Sequence, residues 1–228
     1  MLNLNRMKKD EILWLFNNRC KAHNMRFTEH PGCFEREKPV CSVIHERVGF
    51  LDLECSNLDA NWGVMLSWCI KVDGSDKILS GMITKNDVNK FHADQSDRRI
   101  VEELIQNIQK FDRIVAHYGR KFDIPYMRTR ALIMNIPFPE FGSIRNDDTW
   151  CMARSKLRLN SNRLDTVELA LFGEAKKTRL VSKYWIGAAR GDKECLKYIM
   201  EHNIQDVLTL ERVWYKLKSF TSKTNCSI

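Results

Sequence analysis

The stretch "RVGFLDLECSN", residues 47–57, decides how the chain is read. Its apolar run has the length and composition of a buried β-strand. It also carries two acids, Asp52 and Glu54, one residue apart. Side chains alternate along a strand, so positions 52 and 54 face the same way. Like charges on one face repel, and burial penalises each of them. A divalent cation between them, Mg²⁺ or Mn²⁺, offsets both effects. A site for two such ions needs more oxygen ligands than two side chains supply, so further carboxylates should converge from distant sequence.

Downstream, two more strand-like runs occupy about 62–72 ("WGVMLSWCIKV") and 77–84 ("KILSGMIT"), separated by the turn sequence "DGSD". Three strands on short links predict an antiparallel meander. The pattern then changes. "DRRIVEELIQNIQK" (97–110) has a helical apolar stripe with Asp97 near its start. "RIVAHY" (113–118) reads as a strand, and "DIPYMRTRALIMN" (123–135) as a helix with Pro125 in its first turn. A short strand is expected near 144–149, helices over much of 149–172, and a last long helix over about 192–218. The order βββ, α, β, α, β, then helices predicts an α/β domain on a mixed sheet. It is not a Rossmann domain, because no strand is followed by Gly-x-Gly-x-x-Gly, and no P-loop is present.

Two distant acids fit the requirement set by Asp52 and Glu54. Asp123 lies in "VAHYGRKFDIPYM", where a strand ends and a helix begins. Asp206 lies in "EHNIQDVLTLERVW", at the edge of an apolar stripe on the last helix. With Asp-x-Glu on the first strand, "FD" after the fourth and Asp on the final helix, the chain resembles the DEDD superfamily of 3′–5′ exonucleases over residues 45–215. "NRLDTVELALFG" (162–173) is also similar to a segment of these proteins.

The resemblance implies a ribonuclease H-like fold: a mixed five-stranded sheet flanked by helices, its first three strands antiparallel. It implies that Asp52, Glu54, Asp123 and Asp206 hold two Mg²⁺ or Mn²⁺ ions about 4 Å apart. One ion would activate water to attack the terminal phosphodiester, and the other would stabilise the leaving 3′ oxygen. Family members carry a general base on the last helix, either Tyr four residues before the final Asp or His five before it. Here His202 stands four before Asp206, a histidine in the tyrosine register. Residues four apart share a helix face, and histidine titrates near neutrality. His202 is therefore the expected base. Tyr198 lies a further turn away, about 12 Å from Asp206 along the axis.

Other candidates stand on weaker grounds. Asn57 follows the first-strand motif and is placed to contact a terminal nucleotide. His117 and Lys121 flank Asp123, and Lys121 reads equally as a phosphate contact or a solvated lysine. From Arg154 to Arg190 nine Lys/Arg face three Asp/Glu. That excess includes Arg163 and Lys183, candidate phosphate contacts, although a charge run is more often a solvated face. "SKYWIG" (182–187) sets aromatics beside Lys183, a pattern for base stacking or for packing within the fold.

Upstream, 7–19 has helical spacing, and "CKAHNMRFTEHPGC" follows. Cys20-x2-His23 and His30-x2-Cys33 have the spacing of a structural zinc site, with Cys41 as an alternative ligand. The expected organisation is 1–44 as an N-terminal helix and Cys/His loop, 45–220 as the nuclease domain and 221–228 as a flexible tail. The eight cysteines form no disulfide ladder, no run reaches the roughly 18 apolar residues of a membrane span, and the N-terminus lacks a secretion-signal pattern. A cytoplasmic protein, in a bacterium or a phage-infected cell, is expected. Net charge +8 and pI 9.1 favour a polyanionic partner. These readings converge on a metal-dependent 3′–5′ exonuclease acting on single-stranded 3′ ends of nucleic acid, DNA in the first instance, beside a polymerase or repair partner. The competing readings are a non-catalytic nucleic-acid-binding module and a related endonuclease.

Overall fold

The structure is a computed structural model and describes residues 9–34, 46–90, 94–175 and 181–220. Cys41, the basic residues Lys176, Lys177 and Arg179, and the 221–228 tail lie outside the described residues. The chain divides into two compact units, Met1–Glu46 and Arg47–Ile228. The first holds helices α1 (Lys9–Asn17) and α2 (Pro31–Phe34). Between them an Arg19–Arg26 bridge closes a hairpin. Its small core joins Leu15, Cys20, Phe27 and Phe34.

In the second unit β1 (Val48–Cys55), β2 (Met65–Val72) and β3 (Ile78–Met82) form the expected antiparallel meander. β4 (Arg113–Ala116) and β5 (Arg145–Asp148) add in parallel on the far side of β1. The sheet order is β3-β2-β1-β4-β5. The helices are α3 (Lys85–Lys90), α4 (Arg98–Ile108), α5 (Asp123–Ile133), α6 (Thr149–Lys156), α7 (Leu164–Phe172), α8 (Lys183–Ala189) and α9 (Lys193–Leu217). The fold is ribonuclease H-like, a mixed five-stranded sheet flanked by helices. No helix among the described residues is long and apolar enough to cross a membrane.

β1 organises both layers because its side chains alternate. Leu51 and Leu53 enter one core with α4 and α5, through residues such as Leu104 and Met127. Val48 and Phe50 enter the other, with Met152, Val167, Val207, Leu210 and Trp214 of α6, α7 and α9. The long α9 starts with a cap: the Asp192 carboxylate accepts the Cys195 N–H at 2.9 Å. α7 stops at Gly173, whose φ of 75° is the left-handed value that favours glycine at this position.

Two buried ion pairs tie the layers together. Asp97, at the start of α4, makes no side-chain capping bond to that helix. Its carboxylate is fully buried and accepts from Met65 N at 2.8 Å and from Arg130 Nε and Nη2 at 2.9 and 2.7 Å. Arg130 also donates to the Ala60 carbonyl at 3.0 Å. One α4–α5 ion pair thus holds the edge of β2 and the loop before it. The second pair, Arg113 with Asp147 at 2.5 Å, joins β4 to β5, and Trp214 Nε1 donates to the same carboxylate at 2.9 Å.

Breaking a buried pair strands its partner as an uncompensated charge. Asp97→Ala is expected to cost about 3–5 kcal/mol of unfolding free energy. Glu102→Ala, which removes the surface pair with Arg98, should stay within about 0.5 kcal/mol. Urea unfolding followed by circular dichroism measures both, and equal losses would contradict this account of the ion pair.

Candidate metal centre

The face of β1 that carries Phe50 continues into Asp52 and Glu54. Their cross-strand neighbours on β2 are Cys69 and Ser67, which point to the same side. α9 lies across this surface, running opposite to β1. Trp214 packs edge-on to Phe50 at 5.5 Å, Cys69 Sγ meets Met200 Sδ at 3.4 Å, and Asn203 Nδ2 donates to Ser67 Oγ at 3.4 Å. That placement brings Asp206 over the two strand acids. One carboxylate oxygen from each of Asp52, Glu54 and Asp206 lies within 4.8 Å of the other two. Asn203 Oδ1, on the turn of α9 just before Asp206, is buried without a hydrogen-bond partner among the described residues. Burial, then the charges of Asp52 and Glu54, push the Cys69 thiol well above its ordinary range, so it stays protonated and inert.

Asp123 arrives by a different route. β4 pairs with β1 only as far as Phe50, so the edge of β1 beyond it is open on that side. Asp123, buried at the start of α5, fills the gap: its Oδ1 accepts the Leu53 N–H at 3.2 Å, from the residue between Asp52 and Glu54. It stands outside the 4.8 Å trio. Burial raises its carboxyl to about 7, and the charges of Asp148 and Asp206 add to the rise, against the backbone N–H groups of Asp123 and Leu53.

The loop delivering Asp123 is held by Asp148, which the sequence reading did not single out. Its carboxylate accepts four backbone N–H groups: Tyr118 at 3.0 Å, Arg120 at 3.0 Å, and Trp150 and Cys151 at 2.9 and 3.2 Å. It thus caps α6 and pins the loop at once. Tyr118 sits at φ 65°, and a side chain on Gly119 would collide with the Ala116 Cβ at 2.3 Å. The signal for Asp148 was present in "NDDTWC", an acid before a helical segment, but nothing in sequence shows that the same acid reaches back 30 residues. Asn203 gave no signal within its apolar stripe.

The remaining candidates are scattered over this unit. His202 is buried one turn before Asp206, with its ring against Tyr198 at 4.5 Å and Trp185 at 6.1 Å. Both ring nitrogens of His117 are engaged, with Thr149 Oγ1 and the Asn162 carbonyl, each at 2.9 Å. Asn57 is exposed, and its Oδ1 accepts from Asp59 N at 3.0 Å in a turn. Lys121, Arg163 and Lys183 are exposed. The "SKYWIG" rings pack within the fold: Tyr184 stacks on Tyr198 at 3.9 Å, and Trp185 lies against the core.

The comparisons with known proteins agree with this architecture. Residues 50–218 match the family model of the RNase H superfamily. The chain belongs to the RNase H superfamily. Among individual relatives, it is 27% identical over 129 residues to DNA polymerase 1 of Aeropyrum pernix, covering 51% of this chain and 13% of that protein. It is 25% identical over 195 residues to a DNA polymerase of Methanocaldococcus jannaschii, covering 74% of this chain and 12% of that one. This chain therefore spans about an eighth of the length of these relatives. In structure it resembles the family B DNA polymerase from the archaeon Pyrobaculum calidifontis, with TM-score 0.62 and 18% identity over 77% of this chain and 25% of that one.

The raised carboxyl of Asp123 fixes a pH dependence for chelator-treated protein. The folded state holds a proton up to about 7 that the unfolded chain releases near 3.8. Folding then binds the extra proton between those values, so stability falls as pH rises through that window. In thermal melts in EDTA, wild type should therefore lose stability relative to Asp123→Asn as pH rises through this window. Wild type and Asp123→Asn with parallel pH profiles would refute the assignment.

Proposed function

We propose that this chain is a metal-dependent 3′–5′ exonuclease that hydrolyses the terminal phosphodiester of single-stranded DNA. The observation that carries the reading is the convergence of Asp52, Glu54 and Asp206 within 4.8 Å, with Asp123 bonded to the strand backbone between the first two. The DEDD resemblance and the similarity to DNA polymerases support it.

The donor set fits the metals expected. All four side chains offer hard carboxylate oxygens, and Asn203 Oδ1, on the turn of α9 before Asp206, is a buried oxygen without a hydrogen-bond partner among the described residues. Such a set favours Mg²⁺ or Mn²⁺ over softer ions. Asp52, Glu54, Asp123 and Asp206 would hold two of them, supplying water activation and charge stabilisation at the scissile phosphate.

The chain's own residues do the rest. Asp148 and Gly119 fix the loop that delivers Asp123. His202, through a ring nitrogen, takes the proton of the attacking water, and its aromatic surroundings hold the ring one turn from Asp206. Asn57 contacts the terminal nucleotide, and Lys121, Arg163 and Lys183 meet backbone phosphates. His117, with both nitrogens committed, acts through the loop it anchors. The proposed partner is a DNA polymerase, the class that the relatives' names give, or a repair protein.

The test is digestion of 5′-labelled single-stranded DNA with Mg²⁺ or Mn²⁺. Stepwise shortening from the 3′ end is expected, with Asp52→Ala and Asp206→Ala inactive. His202→Ala should lower turnover about 10²-fold or more while Mn²⁺ affinity holds. Intact oligonucleotides that the protein nonetheless binds would make it a non-catalytic module. Cleavage of a circular single strand would make it an endonuclease, and faster loss of matched RNA would move the substrate class.

A further inference from the structure

The Cys/His segment of the first unit forms a ligand set that the nuclease reading leaves unused. We propose that Cys20, His23, His30 and Cys33 bind one structural Zn²⁺ through two thiolates and two imidazole Nδ1 atoms, and that the segment 9–34 depends on this ion for its fold.

The four ligand atoms lie within 4.8 Å of one another. Tetrahedral zinc with two sulfurs and two nitrogens has ligand–ligand edges of about 3.3–3.8 Å. Two of the six edges here are close to that range: Cys33 Sγ to His23 Nδ1 at 3.4 Å and Cys20 Sγ to His30 Nδ1 at 3.9 Å. Each of these contacts crosses between the two C-x2-H and H-x2-C pairs, over ten residues of chain. The sulfurs and nitrogens therefore form one closed quartet and not two separate local pairs. The imidazole planes stand 71° apart, so the rings approach a common point from different directions.

Main-chain hydrogen bonds help to hold this arrangement. The Arg19–Arg26 bridge closes the first pair into a hairpin, with Cys20 N donating to Met25 O at 2.9 Å. Asn24 takes the left-handed turn at φ 53°, and its N–H donates to the Cys20 carbonyl at 2.8 Å. His30 N then donates to Arg26 O at 2.9 Å, which joins the second pair to the first, and α2 carries Cys33.

An independent argument comes from the size of the core. Among the described residues the unit buries only Leu15, Cys20, Phe27 and Phe34, with Trp14 and Cys33 beside them. Units of this length need a staple beyond such a core. The donor types also separate this site from the carboxylates: thiolate and imidazole suit zinc, whereas Asp52, Glu54 and Asp206 suit harder ions. Four ligands leave no open position, which assigns the ion a structural role.

The experiment uses the full chain purified without chelator. Elemental analysis should find about one zinc per chain, and Co²⁺ in its place should give the strong visible bands of a tetrahedral thiolate site. Cys20→Ser with Cys33→Ser should lower zinc below about a tenth of that level, whereas His30→Cys, which keeps a zinc ligand, should retain it. Chelation should speed trypsin cleavage after the exposed Arg19, Lys21 and Arg26 by loosening the hairpin that carries them, while Asp52→Ala with Asp206→Ala leaves the zinc in place. This last variant separates failure of the zinc site from failure of the nuclease reading. Zinc absent from wild type even after supply of the ion, zinc retained by the double Cys variant, or a Cys20–Cys33 disulfide in freshly isolated protein would each overturn the proposal.

Discussion

The packing of α9 against β1 is the contact on which the rest of the second unit rests. Carboxylates do not gather unaided, and Asp52, Glu54 and Asp206 are forced together by apolar contacts on either side of them. Phe50 against Trp214 anchors one end of the crossing, and Cys69 against Met200 lies beside the acids. Burying side chains of this size contributes about 1.5–3 kcal/mol each, which offsets the repulsion among the three carboxylates. The hydrophobic core and the acidic patch are therefore two stretches of a single interface.

Asp123 and Asp148 show a second way of placing charge. Neither is held by a salt bridge with Lys or Arg in the bonds described above. Asp148 is satisfied by four main-chain donors, two of which belong to the loop that leads to Asp123. Asp123 takes one donor from a strand whose neighbour stops short. A backbone that leaves an N–H open at the end of a ladder can accept a carboxylate there in place of another strand. The topology thus creates the vacancy that the acid fills.

Much of this was legible in the sequence. Alternation along 47–57 placed Asp52 and Glu54 on one face, and the turn "DGSD" gave the meander. The helical stripes located α4, α5 and α9 to within a few residues. What stayed hidden depended on partners far along the chain. Asp97 has the look of a cap, yet it pairs with Arg130, because a fully buried arginine requires a counter-charge more than a helix end requires one more acceptor. α3 and α8 are too short for periodicity to mark them. Asn203 and Asp148 matter through tertiary neighbours alone. The aromatic "SKYWIG" run suits base stacking by composition but such residues more often pack, and the Tyr184–Tyr198 stack agrees with packing.

The length of α9 between its two anchors carries a constraint of its own. Asp206 and Trp214 ride on one continuous rod, so their separation and their relative rotation are set by the count of residues between them. Each residue added or removed there turns one end by about 100° and shifts it about 1.5 Å. A single-residue insertion between 206 and 214 would swing either the acid off its strand partners or the indole off Asp147. Along this segment the chain can exchange side chains, but it cannot change its length.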